Sequence, residues 1–215
     1  MNQKAILFDL DGTLTDSGEG IINCAALALE HFGLPVPSRE EMRVFVGPPL
    51  DQTFIKFGVP ADKALEAIAV YRSRYAPIGI FENFPYPGIA ELLEKLNEQG
   101  HRLFVATSKP EEMAVKVLKH FSLDHHFEMI CGATFDRSRV KKEDVIAYLL
   151  SQTEGVDAVV MVGDTVFDVL GAKEHDIPTI GVAWGYGEVA DMEQAGAAAI
   201  ANTTEELLEL LNKDI

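Results

Sequence analysis

Two hydrophobic patterns alternate along most of this chain. Short apolar runs that are rich in branched and aromatic side chains are typical of strands buried on both faces of a parallel sheet. Five such runs occur, at residues 5–8, 103–106, 127–131, 159–162 and 179–182. We predict one strand at each of them.

Amphipathic segments lie between these runs. Apolar residues in the segment 88–99 recur on one helical stripe, and Gly100 follows as a typical helix end. The segment 110–121 begins with Pro110 and two glutamates, which suit the first turn of a helix. Further helices are expected at 143–152, 188–194 and 204–212, with a short strand at 198–200. The alternation of strand and helix predicts an α/β fold with a doubly wound, mainly parallel, Rossmann-like sheet.

One long region breaks this alternation. Between the first two strands the chain shows only helical signals, starting with Ser17 as a possible helix cap and Gly33 as a helix end. Ser38 and Glu41 have the spacing of a capping box, and a helical period continues through residues 65–75. One crossover helix needs far fewer residues than this. We therefore predict an inserted all-α domain at residues 16–83, and an α/β core formed by residues 1–15 and 84–215.

The charge of the chain limits its partners. The formal net charge is −16, from 34 acidic and 18 basic residues, while 47% of the residues are hydrophobic and can fill a core. Binding to nucleic acid or to an anionic membrane requires clustered Lys and Arg, so we expect neither. The sequence leaves open whether the protein is a monomer or a homodimer.

Cysteine content and apolar runs suggest a cellular location. Cys24 and Cys131 are far apart in the sequence, so a disulfide framework is not expected. Every apolar run is much shorter than the ~20 residues of a membrane span. The first apolar segment is too short for a signal peptide and ends in acidic residues. We expect a cytoplasmic protein.

Two acidic residues follow the first predicted strand, in Asp9-Leu10-Asp11-Gly12-Thr13. Ligands of open α/β sheets bind beyond the carboxyl ends of the strands. Asp9 and Asp11 lie on the same side of an extended backbone and separate once the chain turns at Gly12. One carboxylate can then bind a metal while the other faces a leaving group. An ordinary turn after a strand accounts for this segment equally well.

A second acid pair follows the fourth predicted strand. Asp164 and Asp168, four residues apart, lie at the mouth of the sheet and at the start of the next helix. The alternatives are a helix cap for Asp164 and a solvated acid for Asp168.

Hydroxyl groups and lysines occupy two further strand ends. Thr107 and Ser108 end the second predicted strand, where hydroxyl and N–H groups at a helix start form either an anion site or a helix cap. Lys141 and Lys142 precede the helix predicted at 143–152. Cations are unfavourable at a helix N-terminus, so their position favours a nearby anion. Solvated lysines remain the commoner outcome.

These groups follow one another in chain order at consecutive strand ends. The order Asp9-Leu10-Asp11-Gly12-Thr13, Thr107, Lys142 and Gly163-Asp164 with Asp168 resembles the four motifs of the haloacid dehalogenase superfamily. The resemblance covers essentially the whole chain, and the helical insertion resembles the small α-helical cap of that superfamily. The similarity is greatest to the branch of phosphoglycolate phosphatases, including members described as 5′-nucleotidases. Relatives often carry proline after the motif lysine, whereas Glu143 follows here, and Lys142 is preferred to Lys141 as that lysine.

The resemblance implies a Mg²⁺-dependent phosphatase with an aspartyl-phosphate intermediate. Asp9 would be the nucleophile, and Asp11 would protonate the leaving oxygen and later activate water. The remaining implied roles are phosphate binding by Gly12, Thr107, Ser108 and Lys142, Mg²⁺ binding by Asp9, Asp164 and the main-chain carbonyl of Asp11, and orientation of a metal-bound water or of Lys142 by Asp168.

The substrate would be a small phosphorylated metabolite, either phosphoglycolate-like or a nucleoside monophosphate. Arg43, Arg72 and Arg74 in the insertion are candidates to bind a second anionic group, although a solvated helix face is the commoner role for such residues. The run Trp184-Gly185-Tyr186-Gly187 is either a loop at the rim of the site or a glycine-rich turn with packed aromatic rings.

The superfamily contains three alternatives to a phosphatase, and of these a dehalogenase is not expected here. Dehalogenases of the superfamily lack an acid at the position of Asp11, because a carbon–halogen bond needs no protonated leaving group. A sugar phosphomutase of the β-phosphoglucomutase type shares all four motifs and stays an alternative. A non-catalytic binding protein would be expected to have a broken motif, and none is seen.

Overall fold

The apolar runs of the sequence form the central sheet. The computed structural model describes residues 3–155 and 158–213. The strands in this part of the chain are β1 (Ala5–Phe8), β2 (Thr15–Asp16), β3 (Phe84–Pro85), β4 (Arg102–Pro110), β5 (Met129–Ala133), β6 (Val159–Gly163), β7 (Thr179–Val182) and β8 (Ala199–Ala201). Six of them form one parallel sheet in the order β5-β4-β1-β6-β7-β8. Every residue of β1 is buried, as expected for the centre of a sheet covered on both faces.

Helices connect these strands and form the insertion. They are α1 (Gly18–His31), α2 (Leu50–Lys56), α3 (Ala64–Tyr75), α4 (Ile89–Glu98), α5 (Glu111–His120), α6 (Lys142–Gln152), α7 (Val166–Lys173), α8 (Val189–Ala195) and α9 (Thr204–Leu211). On one face of the sheet, Leu7, Phe104 and Met161 pack with Ile146 and Leu149 of α6. The predicted doubly wound α/β fold is confirmed. None of the helices in the described ranges has the length and apolar character needed to cross a membrane.

The edges of several elements differ from the sequence prediction. β5 starts at Met129 instead of residue 127, and a 3₁₀ turn at Asp124–His126 lies two residues before it. β4 does not end at residue 106 but continues to Pro110, with a shift of register against β5 between Thr107 and Pro110. This irregularity lies at the end of the strand that carries the predicted phosphate-binding hydroxyls.

The chain divides into two compact units, one formed by Met1–Thr15 with Pro85–Ile215 and the other by Asp16–Phe84. Apart from one strand residue at each end, the secondary structure of the second unit is helical. Gly20 and Gly79 approach closely inside it, since a Cβ on Gly20 would lie 1.9 Å from the Gly79 oxygen. The use of this unit as a substrate-selecting cap stays a prediction.

The two predicted helix caps of this unit behave differently. Ser38 and Glu41 form the expected reciprocal bonds, since the Ser38 N–H donates to Glu41 Oε2 at 3.0 Å and the Glu41 N–H donates to Ser38 Oγ at 3.3 Å. These bonds start a 3₁₀ turn (Glu41–Phe45). Ser17 precedes α1 but its side chain makes no capping bond. The Asp16 carboxylate accepts from the Gly18 N–H at 3.3 Å instead.

The order of the strands places three strand ends together. From β1 the chain moves to β4 and β5 on one side of the sheet, then to β6, β7 and β8 on the other. Phe8, the last residue of β1, is paired with Val105 of β4 and with Val162 of β6. The direction of the chain switches at this point, which is where ligands of open α/β sheets bind, beyond the carboxyl ends of the strands.

Candidate active site

Asp9 and Lys142 form the centre of the site. The Asp9 N–H still donates to the Val162 oxygen of β6 at 2.9 Å, so the carboxylate is carried by the rigid end of β1. The Lys142 ammonium lies 2.9 Å from Asp9 Oδ1 and 2.8 Å from Asp168 Oδ1, and it donates to the Ala106 oxygen at 2.8 Å. The ammonium therefore forms ion pairs with two buried carboxylates and one hydrogen bond to a main-chain oxygen. The Lys142 side chain is 3% exposed, and its position is therefore fixed by these partners.

Asp164 follows β6 and is completely buried. One of its oxygens accepts from the Thr13 hydroxyl at 3.0 Å and the other accepts from the Tyr186 N–H at 2.9 Å. Gly12 has a φ of 91°, and a Cβ there would lie 2.1 Å from Asp164 Oδ2. Only glycine can make this turn while leaving space for the Asp164 carboxylate.

Asp168 is the second acid that pairs with Lys142. Asp168 Oδ2 accepts from the Thr165 N–H at 3.0 Å and from the Thr165 hydroxyl at 2.9 Å. This is the capping box of α7, with Thr165 as the N-cap, so the alternative role of Asp164 as the helix cap does not hold. The bonds to Thr165 fix the carboxylate, so that its other oxygen faces Lys142.

The three buried acids form a strongly charged cluster. Asp9, Asp164 and Asp168 each offer a carboxylate oxygen within 4.8 Å of the others. Burial raises the pKa of Asp9 to about 6, although Lys142 acts in the opposite direction. Burial, and then the charges of Asp168 and Asp9, also raise the pKa of Asp164. Burial lowers the pKa of Lys142, but the two carboxylates more than compensate and keep the ammonium charged.

These pKa shifts indicate that the cluster has more negative charge than its surroundings stabilise. Protons can relieve this excess at low pH, and at neutral pH a bound cation would do so. Buried carboxylate oxygens are the donors that Mg²⁺ prefers, because it is a hard cation. The residues present therefore fit a Mg²⁺ site.

Asp11 lies beside a lysine that the sequence analysis did not select. The Lys109 ammonium donates to both oxygens of Asp11, at 3.0 and 2.8 Å. The exposed fraction is 4% for the Lys109 side chain and 13% for that of Asp11. Asp11 is thus partly accessible, while its partner is buried.

The predicted hydroxyls lie at the end of β4. Thr107 is buried, and a hydrogen bond from its side chain to Asp9 is one of the effects that lower the pKa of that acid. Its hydroxyl oxygen also accepts from the Lys109 N–H at 3.2 Å. Ser108 is partly exposed. The end of β4 therefore brings one hydroxyl next to the proposed nucleophile.

The three candidate arginines all belong to the helical unit. Arg74 in α3 makes two hydrogen bonds to Glu82, at 2.8 and 2.7 Å, and contacts the Cys24 sulfur at 3.3 Å. The hydrogen bonds to Glu82 raise the pKa of the Arg74 guanidinium above its ordinary value. Arg43 lies 3.9 Å from Glu40, and Arg72 is partly exposed on α3. Arg74 is thus already neutralised within its own unit.

The sequence analysis missed several supporting residues. Thr165 was not selected, although Thr165 and Asp168 have the spacing of a capping box, so a signal for this residue was present in the sequence. Lys141 is 71% exposed and pairs with Glu143 at 3.4 Å, whereas its neighbour Lys142 faces the acids. The contact of Thr13 with Asp164 spans 151 positions and has no local signal.

Known proteins are similar to this chain in sequence and fold. The family model of haloacid dehalogenase-like hydrolases matches residues 6–182, which include all the strand ends of the site. Tyrosine-protein kinase PtkA of Mycobacterium tuberculosis is 43% identical over 211 residues, which are 97% of this chain and 72% of that protein. A 5′-nucleotidase of Pseudomonas aeruginosa is 44% identical over 185 residues, 85% of this chain and 83% of the relative.

Two further comparisons extend this group. A phosphoglycolate phosphatase of Caulobacter vibrioides is 31% identical over 216 residues, covering 94% of this chain and 88% of the relative. The crystal structure of a predicted phosphatase from Clostridium acetobutylicum superposes with a TM-score of 0.93 at 38% identity, covering 98% of this chain and 99% of the other. The fold, the buried acid cluster and the extent of these matches confirm the resemblance inferred from the motifs. The chain therefore belongs to the haloacid dehalogenase-like hydrolase family and is a phosphatase of that family.

Proposed function

We propose that this protein is a Mg²⁺-dependent phosphomonoester hydrolase that acts through an aspartyl-phosphate on Asp9. The observation that supports this most strongly is the placement of Asp9 in the buried cluster with Lys142 and Asp164. A carboxylate held at the end of a central strand, with an ammonium beside it, is suited to attack an electrophilic phosphorus. The proposed substrates are small phosphorylated metabolites, either phosphoglycolate-like or nucleoside monophosphates.

Each residue has a proposed role in the two half-reactions. In the first, an oxygen of Asp9 forms a bond to phosphorus while the bond to the leaving oxygen breaks, and Asp11 gives its proton to that oxygen. In the second, Asp11 takes a proton from water, and the water oxygen displaces Asp9 from phosphorus. Lys142, the Thr107 and Ser108 hydroxyls and the backbone near Gly12 would bind the phosphoryl oxygens throughout. Asp168 would keep Lys142 in place through the 2.8 Å contact.

The acid cluster accounts for the proposed dependence on metal. Asp9, Asp164 and the main-chain carbonyl of Asp11 would hold Mg²⁺. When bound, Mg²⁺ offsets the charge of the carboxylates and of the phosphoryl group. The hydrogen bonds from Thr13 and Tyr186 leave each Asp164 oxygen with a second lone pair, so this carboxylate can still act as a ligand.

Selectivity is proposed to come from the helical unit, because the core residues of the site recognise only a phosphoryl group. The similarity to a 5′-nucleotidase and to a phosphoglycolate phosphatase supports the two substrate classes. Of the candidate arginines, Arg74 is poorly suited to bind a second anion, because Glu82 already neutralises it.

A substrate panel tests this proposal. Phosphate release is measured from phosphoglycolate, nucleoside 5′-monophosphates, sugar phosphates and an aryl phosphate, with Mg²⁺ and with EDTA, for the wild type and for Asp9→Asn. The proposal predicts Mg²⁺-dependent release that falls by about a thousandfold or more in the variant, or ~4 kcal/mol of barrier. Full activity in EDTA contradicts the metal dependence. Formation of an isomer without net phosphate release favours the phosphomutase alternative.

A further inference from the structure

A buried ion pair joins β4 to the loop after β1 and is separate from the contacts of Lys142. Both oxygens of Asp11 accept hydrogen bonds from the same ammonium, that of Lys109. Burying a lysine is costly unless its charge is paired, and here it is paired with the proposed acid–base residue. The contact joins residues 98 positions apart, so it is a product of the fold and not of local sequence.

The backbone at the end of β4 is shaped to deliver this lysine. The register of β4 against β5 shifts between Thr107 and Pro110, and such irregularities redirect side chains. The Lys109 N–H donates to the Thr107 hydroxyl oxygen at 3.2 Å. On the neighbouring strand a Cβ on Gly132 would lie 2.5 Å from the Lys109 oxygen, so the backbones can approach only because this residue is glycine. The backbone of Lys109 is therefore fixed by its bond to Thr107 and by its close approach to Gly132.

We propose that Lys109 is a positioning residue for Asp11. This inference rests on the proposed acid–base role of Asp11. Two hydrogen bonds from one ammonium restrict the rotation of the carboxylate, so that Asp11 stays oriented in a site where it is 13% exposed. Lys142 pairs with Asp9 and Asp168, so the two buried lysines contact different acids. Lys142 serves the nucleophile, and Lys109 serves the proton donor.

The proton transfers balance with Lys109 as a spectator. Asp11 loses its proton to the leaving oxygen as the phosphorus–oxygen bond breaks, and it regains a proton from the attacking water. Lys109 keeps its three protons in both steps. Removing Lys109 therefore removes orientation without removing a reacting group.

Leaving-group dependence tests this proposal. Activity towards an aryl and an alkyl phosphate is compared in the wild type, Lys109→Met, Lys109→Arg and Asp11→Asn, with Lys116→Met as a control for the loss of a charge on the exposed surface of α5. An alkoxide is a poor leaving group and needs a well-placed proton donor. We expect kcat for the alkyl phosphate to fall about 10- to 100-fold in Lys109→Met, and kcat for the aryl phosphate to fall less than about fivefold. Lys109→Arg should restore most of the loss, since a guanidinium also pairs with both oxygens of a carboxylate.

The double variant Lys109→Met/Asp11→Asn shows whether Lys109 acts through Asp11. We expect it to match Asp11→Asn within about twofold, because the positioning effect has no target once the acid is gone. In the double variant both side chains are neutral, so Asp11 is not left as an unpaired charge. The comparison of the double variant with Asp11→Asn therefore stays valid even if the single variant Lys109→Met folds poorly. Equal losses for both substrates, a higher rate in Lys109→Met, or additive losses in the double variant would overturn the inference. If Asp11→Asn itself shows no leaving-group dependence, the proposed acid–base role of Asp11 is wrong, and the inference about Lys109 loses its basis.

Discussion

Asp9 and Asp11 are two positions apart, and their surroundings suit them for different tasks. Asp9 is buried beside Lys142, on the rigid end of β1. Asp11 lies after the strand, is partly exposed and faces Lys109. Two carboxylates in different environments can act as nucleophile and as acid–base group in the same reaction.

Lys142 and Lys141 provide a matched pair of variants. Lys142→Met leaves Asp9 and Asp168 buried without their ammonium, so we expect about 3–5 kcal/mol of destabilisation and at least a thousandfold loss of turnover. Lys141→Met removes the same charge one position away, on a side chain that is 71% exposed, and should change stability by less than about 0.5 kcal/mol. Chemical denaturation and steady-state kinetics measure both effects. Similar behaviour of the two variants would contradict the assignment of Lys142.

Arg72 and Arg74 separate binding from stability within α3. Arg74→Ala removes a bidentate pair with Glu82, and we expect it to cost up to about 1 kcal/mol of stability with little change in relative KM between substrates. Arg72→Ala is expected to raise KM for doubly anionic substrates more than for an aryl phosphate. Thermal denaturation and KM for both substrate types decide the point. A selective rise of KM in Arg74→Ala alone would reverse these roles.

At the scale of elements, the loop between β7 and α8 supports Asp164. The Tyr186 N–H binds this carboxylate, and the Trp184 indole N–H donates to the Thr13 oxygen at 3.1 Å. A Cβ on Gly185 would lie 2.3 Å from the Cβ of Asp164. The glycine-rich turn after β7 thus lies against the acid cluster and holds one proposed metal ligand.

Gly185→Ala tests this support. The added methyl group must displace Asp164 or the loop, so we expect Mg²⁺ affinity to fall about 10- to 100-fold, as is usual when groups behind a metal ligand are changed. Gly100→Ala is the control, because Gly100 has a φ of 81° and no heavy atom within 4 Å of the added Cβ. It should lose stability through backbone strain but keep its Mg²⁺ affinity. Calorimetric titration measures the affinity, and an unchanged value in Gly185→Ala would refute the role of the loop.

The elements themselves could largely be predicted from the sequence, for a physical reason. Strands buried on both faces, such as β1 and β6, have continuous apolar runs, and their order predicts the parallel sheet. The contact of Lys109 with Asp11 could not be predicted, because it depends on a register shift between β4 and β5. The pairing of Arg74 with Glu82 depends in the same way on how the helices pack. Local sequence patterns encode burial, but they do not encode which polar groups meet across a fold.

At the scale of the whole molecule, the stability of the protein should depend on pH and on metal together. The pKa of Asp9 is raised from 3.8 to about 6 by burial, and that of Asp164 is raised as well. The folded protein therefore binds these protons more tightly than the unfolded chain does. Without metal, this contribution to stability is fully present below about pH 4 and is lost as the pH rises through about 6.

Mg²⁺ should replace these protons at higher pH. We expect the increase in Tm on adding Mg²⁺, compared with EDTA, to be small at pH 5 and several times larger at pH 8. Thermal denaturation across this range measures the difference. Asp164→Asn is the control, because it removes a proposed ligand and a buried charge, and its Mg²⁺-dependent shift should be small at both pH values. An equal shift at pH 5 and pH 8 in the wild type would contradict the account.

The central claim is a covalent phosphoryl group on Asp9, and trapping that group tests it most directly. Asp11→Asn is mixed with an aryl phosphate and Mg²⁺, quenched in acid and analysed by mass spectrometry of the intact chain and of its peptides. The aryl group leaves readily, while hydrolysis of the intermediate lacks its base, so the intermediate should accumulate. The account predicts one added phosphoryl group on Asp9 that is sensitive to hydroxylamine and absent in Asp9→Asn/Asp11→Asn. A phosphoryl group on another residue, or product formation by Asp11→Asn with no phosphoenzyme at any time point, would contradict it.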